Sequence, residues 1–236
     1  MELARKQIVL KCQAVIFDLD GTLIDSVEAI KRIWQDWANR RNIVDPNLLD
    51  VATSMRTIEA VRLLAPHLDI EQETETLENA EATELDGVNC VEGAREILLT
   101  LPRQSWGIVT SITRRTALAK LSHVVLPVPQ VLVTSDDVQR GKPAPDGYLA
   151  AAERLGVAGD QCVAIEDTPP GIQAARAAGM AVIALATTHS ARQIEQANLI
   201  VASLKDIKSS DCLGWGSHTQ DSGRRTIRLE INALSF

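Results

Sequence analysis

A pair of aspartates follows an apolar stretch near the start of the chain, in QAVIFDLDGTLIDS (residues 13–26). The run AVIF is partly β-branched and predicts a buried strand. Asp18 and Asp20 come directly after it, two residues apart, so their side chains start out on the same side of the strand. Burying two carboxylates together is costly, because desolvation and mutual repulsion disfavour the charged forms. Such a pair makes chemical sense around a divalent cation, and hard oxygen ligands suit Mg²⁺.

Reactive side chains also occur in three other segments of the chain. These are Thr110 and Ser111 after the run WGIV, Glu166 and Asp167 at the end of CVAIED, and Lys142 in the loop RGKPAPDGY. Each group alone is typical of an ordinary turn, helix cap or solvated loop. In an open parallel sheet, however, ligands bind in the crevice beyond the carboxyl ends of the strands. The four segments together therefore predict one site in which carboxylates, hydroxyls and an ammonium group meet.

The elements that must position these groups alternate between strand and helix along most of the chain. The predicted strands are short apolar runs at residues 14–18, 106–110, 130–134, 162–166, 181–185 and 199–203. The predicted helices lie between them, at about 93–101, 113–121, 146–155, 169–178 and 190–197. This alternation predicts an α/β fold, a Rossmann-like parallel sheet with helices on both faces. In the tail, Ile227, Leu229 and Ile231 alternate with charged residues, which predicts a one-sided edge strand.

The segment that follows the first strand has a different pattern, without strand-like runs. In SVEAIKRIWQDWANRR, apolar residues recur at helical spacing, and Ser26 is placed to cap the helix. Residues 69–86 are acidic with sparse apolar positions, which predicts a solvated helix face. We therefore expect an all-helical cap domain at residues 22–91, inserted into a core formed by residues 1–21 and 92–236.

Composition and charge exclude several classes of protein. The net charge is −7, which argues against a general nucleic-acid or anionic-membrane surface. No apolar run approaches the roughly 18 residues of a membrane helix, and charges spread through the N-terminal segment predict no signal peptide. The four cysteines lack metal-ligand or disulfide spacing. We therefore expect a cytoplasmic protein that binds neither nucleic acid nor membrane, and a monomer by default.

The four motifs together resemble those of the haloacid dehalogenase superfamily, in the branch that carries a helical cap after the first motif. They read DLDGTL (18–23), the hydroxyl pair TS (110–111), GKPAPD (141–146) and IEDTPPGIQAARAAG (165–179). The likeness extends over about residues 13–204 and is greatest to sugar- and polyol-phosphate phosphatases, including glycerol-phosphate phosphatases. Glu92 and Ile112 depart from the common pattern of that superfamily, which bears on substrate choice more than on chemistry.

The resemblance implies a division of roles among the candidate residues. Asp18 is the expected nucleophile, which forms an aspartyl phosphate. Asp20 is the expected acid and base, which protonates the leaving alcohol and then takes a proton from the attacking water. Thr110, Ser111 and Lys142 are expected to hold the phosphoryl oxygens and to neutralise charge in the transition state.

The resemblance also implies a cofactor and a contact from the cap. Mg²⁺ is expected to bind the Asp18 carboxylate, the Asp20 backbone carbonyl and the Asp167 carboxylate, with Glu166 as a direct or water-mediated ligand. Arg56, in the segment MRT, is expected to reach the crevice on closure and bind substrate hydroxyls or the phosphate. The alternative interpretation of Arg56 is an exposed arginine on a helix.

The predicted function is Mg²⁺-dependent hydrolysis of a small sugar or polyol phosphate monoester, so the expected partner is a small phosphorylated metabolite. A β-phosphoglucomutase would use the same core, but those mutases typically carry a histidine about a dozen residues after the nucleophile, where this chain has Ile30. From another class, the chain could be a phosphate-binding regulator without turnover. The presence of all the candidate catalytic groups argues against that alternative.

Overall fold

The computed structural model describes residues 5–212 and 226–234. Within them the chain forms eleven strands: β1 Arg5–Cys12, β2 Ala14–Phe17, β3 Ile24–Asp25, β4 Asn89–Cys90, β5 Trp106–Val109, β6 Val131–Val133, β7 Cys162–Glu166, β8 Ala181–Leu185, β9 Leu199–Val201, β10 Ile207–Cys212 and β11 Thr226–Leu234. The same residues form eight α-helices: α1 Val27–Arg41, α2 Leu48–Ser54, α3 Thr57–Leu64, α4 Ile70–Thr83, α5 Ala94–Thr100, α6 Arg114–His123, α7 Asp146–Leu155 and α8 Pro169–Ala177. None of these helices has the length and apolar character of a membrane span.

Six of the strands form a parallel sheet in the order β6-β5-β2-β7-β8-β9, so β2 lies between β5 and β7. Every residue of β2 is buried. Val15 and Phe17 belong to an apolar cluster with residues of α5 and α6, whereas Ala14 and Ile16 belong to one with residues of α7 and α8. Because side chains alternate across a strand, a sheet covered on both faces needs apolar residues at successive positions. The predicted fold class and the six predicted core strands are confirmed.

A second sheet contains three antiparallel strands in the order β1-β11-β10. Ile227, Leu229 and Ile231 of β11 are buried, as the alternation in the tail predicts. The predicted edge position is wrong, because β11 pairs with β1 on one side and with β10 on the other. The sequence pattern predicts neither partner strand. In β1 only Cys12 is fully buried, so charged residues weaken its apolar signal.

Residues 190–197 form successive turns instead of the predicted helix. The backbone N–H and the hydroxyl of Ser190 both donate to the side-chain oxygen of Gln193, at 3.1 and 2.7 Å. The backbone hydrogen bonds of Gln193 to Ser190 and of Ala197 to Ile194 span three residues, and only the longer bond of Ile194 to Ser190, at 3.4 Å, spans four. These bonds support a single turn that begins at Ser190, but no run of four-residue backbone bonds continues it into a helix. Ile194 is nonetheless fully buried, so it contributes to the core from a turn.

Helices α1–α4 pack around an apolar cluster of their own, with Trp34 and Trp37 as its largest members. We call residues 26–90 the helical insertion. Where it joins the sheet, β3 and β4 pair antiparallel, a contact that the sequence pattern does not predict. Ser26 lies at the N-cap of α1 as predicted, but its hydroxyl makes no capping bond. The domain boundaries, with a cap at 22–91, stay a prediction.

The acidic segment 69–86 is only partly solvated. Glu73 and Glu81 of α4 are buried, and their carboxylates accept hydrogen bonds from the indole N–H groups of Trp37 and Trp34, at 2.7 and 2.8 Å. Buried indole N–H groups and buried carboxylates both need partners, and each supplies the other's. The prediction of a solvated face is therefore wrong at these two glutamates.

Glu78, on the same helix, provides a stability prediction. Burial, followed by the negative charges of Asp136 and Glu81, raises the pKa of Glu78 from 4.5 to about 7. Because the pKa is higher in the folded chain, Glu78 lowers the free energy of unfolding as the pH rises. The free energy of unfolding is unaffected by Glu78 below pH 4.5 and falls as the pH rises to about 7. After a discount for solvent screening, ionised Glu78 lowers the free energy of unfolding by on the order of 1 kcal/mol. We expect Glu78→Gln to raise Tm by about 2–4 °C above pH 7 and much less near pH 5.

Thermal melts of the wild-type chain and Glu78→Gln across this pH range measure the effect. Asp36→Asn, at an exposed position in the middle of α1, is the control and should leave Tm unchanged at every pH. A gain for Glu78→Gln that is equal at low and high pH would contradict the assigned cause.

Candidate active site

The ends of two neighbouring strands bring three buried carboxylates together. Asp18 follows β2, while Glu166 ends β7 and Asp167 follows it. The strands are paired in parallel, and the backbone N–H of Asp18 donates to the carbonyl of Ile165 at 2.9 Å, which extends the ladder beyond β2. Oxygens from the three carboxylates lie within 4.8 Å of one another. The predicted meeting of strand ends is therefore observed for these residues.

Electrostatics at this cluster favour a bound cation. Burial raises the pKa of Asp18 well above its ordinary value, and although Lys142 opposes this, Glu166 and Asp167 add to it. Burial and then the Glu166 charge raise the pKa of Asp167 to about 7. Three buried carboxylates beside one ammonium group leave uncompensated negative charge. Because all the ligand atoms are carboxylate oxygens, the donor set fits a hard divalent cation.

The turn after Asp20 closes over one side of the cluster. Gly21 has a φ of +85°, and a Cβ at this position would lie 2.1 Å from an oxygen of Asp167. Glycine alone combines that backbone conformation with the necessary space. The hydroxyl of Thr22 donates to the Asp167 carboxylate at 3.1 Å, and the hydroxyl of Thr188 donates to its other oxygen. These contacts orient the carboxylate of Asp167.

Lys142 reaches the same cluster from the loop before α7, and its side chain is 8% exposed. Its ammonium contacts the carboxylate of Asp18 and donates to Glu166 at 2.5 Å. Burial lowers the pKa of Lys142, but the charges of Asp18 and Glu166 outweigh it and hold the pKa above its ordinary value. Glu166 also accepts from the hydroxyl of Tyr148 at 2.7 Å. The carboxylate of Glu166 therefore orients Lys142, and Tyr148, which the sequence pattern did not single out, supports it.

Thr110 and Ser111 follow β5 and complete a cleft between the sheet and the helical insertion. The backbone N–H of Thr110 donates to the carbonyl of Val133 at 2.9 Å, which fixes the end of the strand. Asp18, Asp20 and Lys142 line the same cleft. Five of the predicted residues thus surround one space. Residues of the insertion, Thr53, Ser54, Met55 and Thr57 among them, form its opposite wall.

The carboxylate of Asp20 lies among contacts that the sequence pattern did not predict. Its Oδ1 accepts from the hydroxyl of Ser26 at 2.5 Å and from the ammonium of Lys120 at 2.7 Å. Lys120 belongs to α6, and its side chain is only 2% exposed. The available signal was its place in ALAKL beside Leu121 and three residues after Ala117, both of which are buried. A lysine on the apolar face of a helix needs a buried partner.

Arg56 lies between the helical insertion and the core, with a side chain that is 14% exposed. One guanidinium nitrogen donates to the carbonyl of Val138 at 3.1 Å, and another pairs with Glu59. The side chain borders Gly141 and lines a hollow together with Lys142. Its buried Nε has no partner among the described residues. The alternative interpretation of a freely exposed helix arginine is therefore not supported.

Comparison with known families identifies the chain. Residues 15–185, which include all the residues of the cluster, match the family described as haloacid dehalogenase-like hydrolase. The chain belongs to this family. The predicted superfamily is confirmed.

Several relatives of this haloacid dehalogenase-like hydrolase are named as phosphatases, which agrees with the chemistry of its site. It is 37% identical to hexitol phosphatase A of Escherichia coli over 203 residues, 84% of this chain and 94% of the relative. It is 34% identical to glycerol-1-phosphate phosphohydrolase 2 of Saccharomyces cerevisiae, over 80% of each chain. A crystal structure of a hydrolase from Pseudomonas syringae is similar with a TM-score of 0.68 and 30% identity, over 80% of this chain and 92% of that one. The predicted enzyme class, a phosphoric monoester hydrolase of the haloacid dehalogenase type, is confirmed.

Proposed function

We propose that this hydrolase is a Mg²⁺-dependent phosphatase that acts on a small sugar or polyol phosphate monoester. The observation that carries the proposal is the single cleft where Asp18, Asp20 and Lys142 meet beside a carboxylate cluster suited to a cation. A buried nucleophilic carboxylate, a second carboxylate two residues away and a fixed ammonium are the groups that phosphoryl transfer through a covalent intermediate requires.

The proposed residues for Mg²⁺ are the carboxylates of Asp18 and Asp167 and the backbone carbonyl of Asp20. Glu166 already accepts hydrogen bonds from Lys142 and Tyr148, so we assign it to the surroundings of the metal and to the orientation of Lys142. When bound, Mg²⁺ supplies positive charge that offsets the repulsion between Asp18 and an anionic phosphate.

In the proposed reaction the Asp18 carboxylate attacks phosphorus, forming one P–O bond while the P–O bond to the substrate alcohol breaks. The product is an aspartyl phosphate, and Asp20 gives its proton to the leaving alkoxide. Asp20 then takes a proton from water as that water attacks phosphorus, which releases inorganic phosphate and restores the Asp18 carboxylate. Throughout, Lys142, Thr110 and Ser111 donate hydrogen bonds to the phosphoryl oxygens.

For the substrate we propose a small polyol phosphate or a hexose 6-phosphate. Support comes from the hexitol and glycerol phosphate phosphatases among the relatives, of which this chain covers most of the length. Phosphate release from a panel of sugar, polyol and nucleotide phosphates tests the proposal. We expect the highest kcat/KM for a polyol phosphate or a hexose phosphate. Conversion of a sugar phosphate into its isomer without phosphate release would indicate a mutase instead, and binding without turnover would indicate a regulator.

A prediction about Arg56 tests how the leaving portion is recognised. Its position in the hollow that Lys142 also lines, with a buried Nε free of partners in the described chain, supports a contact with substrate. We expect Arg56→Ala to lower kcat/KM for the preferred sugar or polyol phosphate by about 10–100-fold, the effect of losing one or two charged hydrogen bonds. Hydrolysis of p-nitrophenyl phosphate, which lacks hydroxyls, should change much less.

Arg62→Ala is the matched control, since Arg62 is exposed on the adjacent helix α3. It should leave both esters unaffected. Equal losses on the two esters for Arg56→Ala, or none on either, would remove Arg56 from the residues that determine specificity.

A further inference from the structure

Lys120 is a buried ammonium group that pairs with one carboxylate and is stabilised by the charge of a second. Its Nζ lies 2.7 Å from Oδ1 of Asp20, at the floor of the cleft. The second carboxylate is Glu81 of α4, which is 4% exposed and whose charge also stabilises the ammonium. Burying a lone ammonium is costly, so a lysine at this position depends on its ion pair with Asp20.

Glu81 brings the helical insertion to the same cleft as Asp20. Trp34 donates to Glu81 at 2.8 Å, Lys120 donates to Asp20 at 2.7 Å, and Glu81 and Asp20 both line the cleft. Helix α4 of the insertion packs directly on α6, the helix that carries Lys120. The charge of Glu81 thus acts on Lys120 because the insertion is seated on the core.

The contacts to Asp20 are unevenly divided between its two oxygens. Ser26 and Lys120 both bind Oδ1. Within residues 5–212 and 226–234, Oδ2 accepts no hydrogen bond. Two donors on one oxygen fix the orientation of the carboxylate while leaving the other oxygen to exchange a proton.

We propose that Lys120 is a positioning residue that acts through Asp20, and that the buried charge of Glu81 supports the Lys120 ammonium when the helical insertion is seated. The inference rests on the proposed function, in which Asp20 protonates the leaving alcohol. In this inference, Lys120 of α6 orients the carboxylate of Asp20, and Glu81 of the insertion stabilises Lys120. A seated insertion thereby contributes to the correct orientation of Asp20.

The test compares two esters that differ in their need for a proton. An alkyl ester such as a polyol phosphate requires protonation of its leaving alcohol, whereas p-nitrophenolate leaves without it. Lys120→Met should lower kcat/KM for the polyol ester by about 100-fold, a typical contribution of general acid catalysis. The loss for p-nitrophenyl phosphate should be less than about 5-fold, because kcat/KM reports only the steps up to transfer to Asp18.

A double-mutant cycle separates this role from a merely structural one. In an Asp20→Asn background, Lys120→Met should cause no further loss, since its effect acts through the carboxylate that is already removed. Glu81→Gln should give the same selective loss at smaller size, and it serves if Lys120→Met fails to fold. Lys31→Met, at an exposed position of α1, should behave as the wild type.

Equal fractional losses on the two esters, or a further loss in the Asp20→Asn background, would overturn the inference about Lys120 while leaving the proposed function intact. Failure of the wild-type chain to hydrolyse either ester would instead contradict the proposed function, and the inference with it.

Discussion

Replacement of Asp18 by asparagine is expected to abolish turnover. An amide cannot attack phosphorus to form the aspartyl phosphate, so kcat should fall by about 10⁴-fold or more, as it does when other covalent nucleophiles are removed. The fold should persist, because asparagine has nearly the same shape and its neutral side chain reduces repulsion from Glu166 and Asp167. Steady-state phosphate release, together with a thermal melt of each variant, measures both expectations.

Asp36→Asn is the control for this variant, since Asp36 is an exposed aspartate of α1. It should retain the activity of the wild type. Retention of more than a few per cent of wild-type kcat by a clean preparation of Asp18→Asn would contradict the assignment of the nucleophile.

Removal of the metal is expected to have an effect of similar size. EDTA should abolish activity and excess Mg²⁺ should restore it, because Asp18 and an anionic phosphate repel each other inside a cluster that is already negative. Ca²⁺ should inhibit, since its larger and looser coordination misplaces the phosphate relative to Asp18. A thermal melt provides a readout that does not depend on turnover. Mg²⁺ should raise the Tm of the wild-type chain by mass action.

Asp167→Asn should lose most of this Mg²⁺-dependent rise in Tm, because it removes one of the proposed ligands. Asp36→Asn again provides the control and should keep the full rise. Undiminished activity in chelator, or a Tm that does not respond to Mg²⁺, would show that the carboxylate cluster serves another purpose.

The central sheet and the strand-end residues could be predicted from the sequence because both depend on local patterns. A parallel strand that is covered on both faces is a continuous apolar run, and β2 is buried at every position. The ends of parallel strands lie along one edge, so the predicted positions of Asp18 and Asp167 followed from topology alone. The tail shows the limit of such patterns. Alternation reveals that β11 has one buried face, but pairing with β1 and β10 depends on segments distant in sequence.

The contacts of buried charges could not be predicted in the same way. Glu81 belongs to an acidic run whose composition is typical of a solvated surface, yet it is buried, accepts a hydrogen bond from Trp34 and is stabilised by the charge of Lys120. That arrangement depends on how α4 packs on α6, which no local periodicity encodes. Arg56 is a similar case, because its side chain packs against the core, where it borders Gly141 and donates to the carbonyl of Val138. Sequence patterns are therefore least informative about the side chains that lie between the helical insertion and the sheet.

Trapping of the covalent intermediate tests the central claim most directly. The wild-type enzyme, mixed with Mg²⁺ and excess polyol phosphate and quenched in acid within milliseconds, should carry one phosphoryl group on the peptide that contains Asp18. Mass spectrometry of the digested protein locates that group, and the Asp18→Asn variant should carry none. Phosphate release by the wild type without any phosphorylated Asp18, or with the phosphoryl group on another residue, would contradict hydrolysis through an aspartyl phosphate at this site.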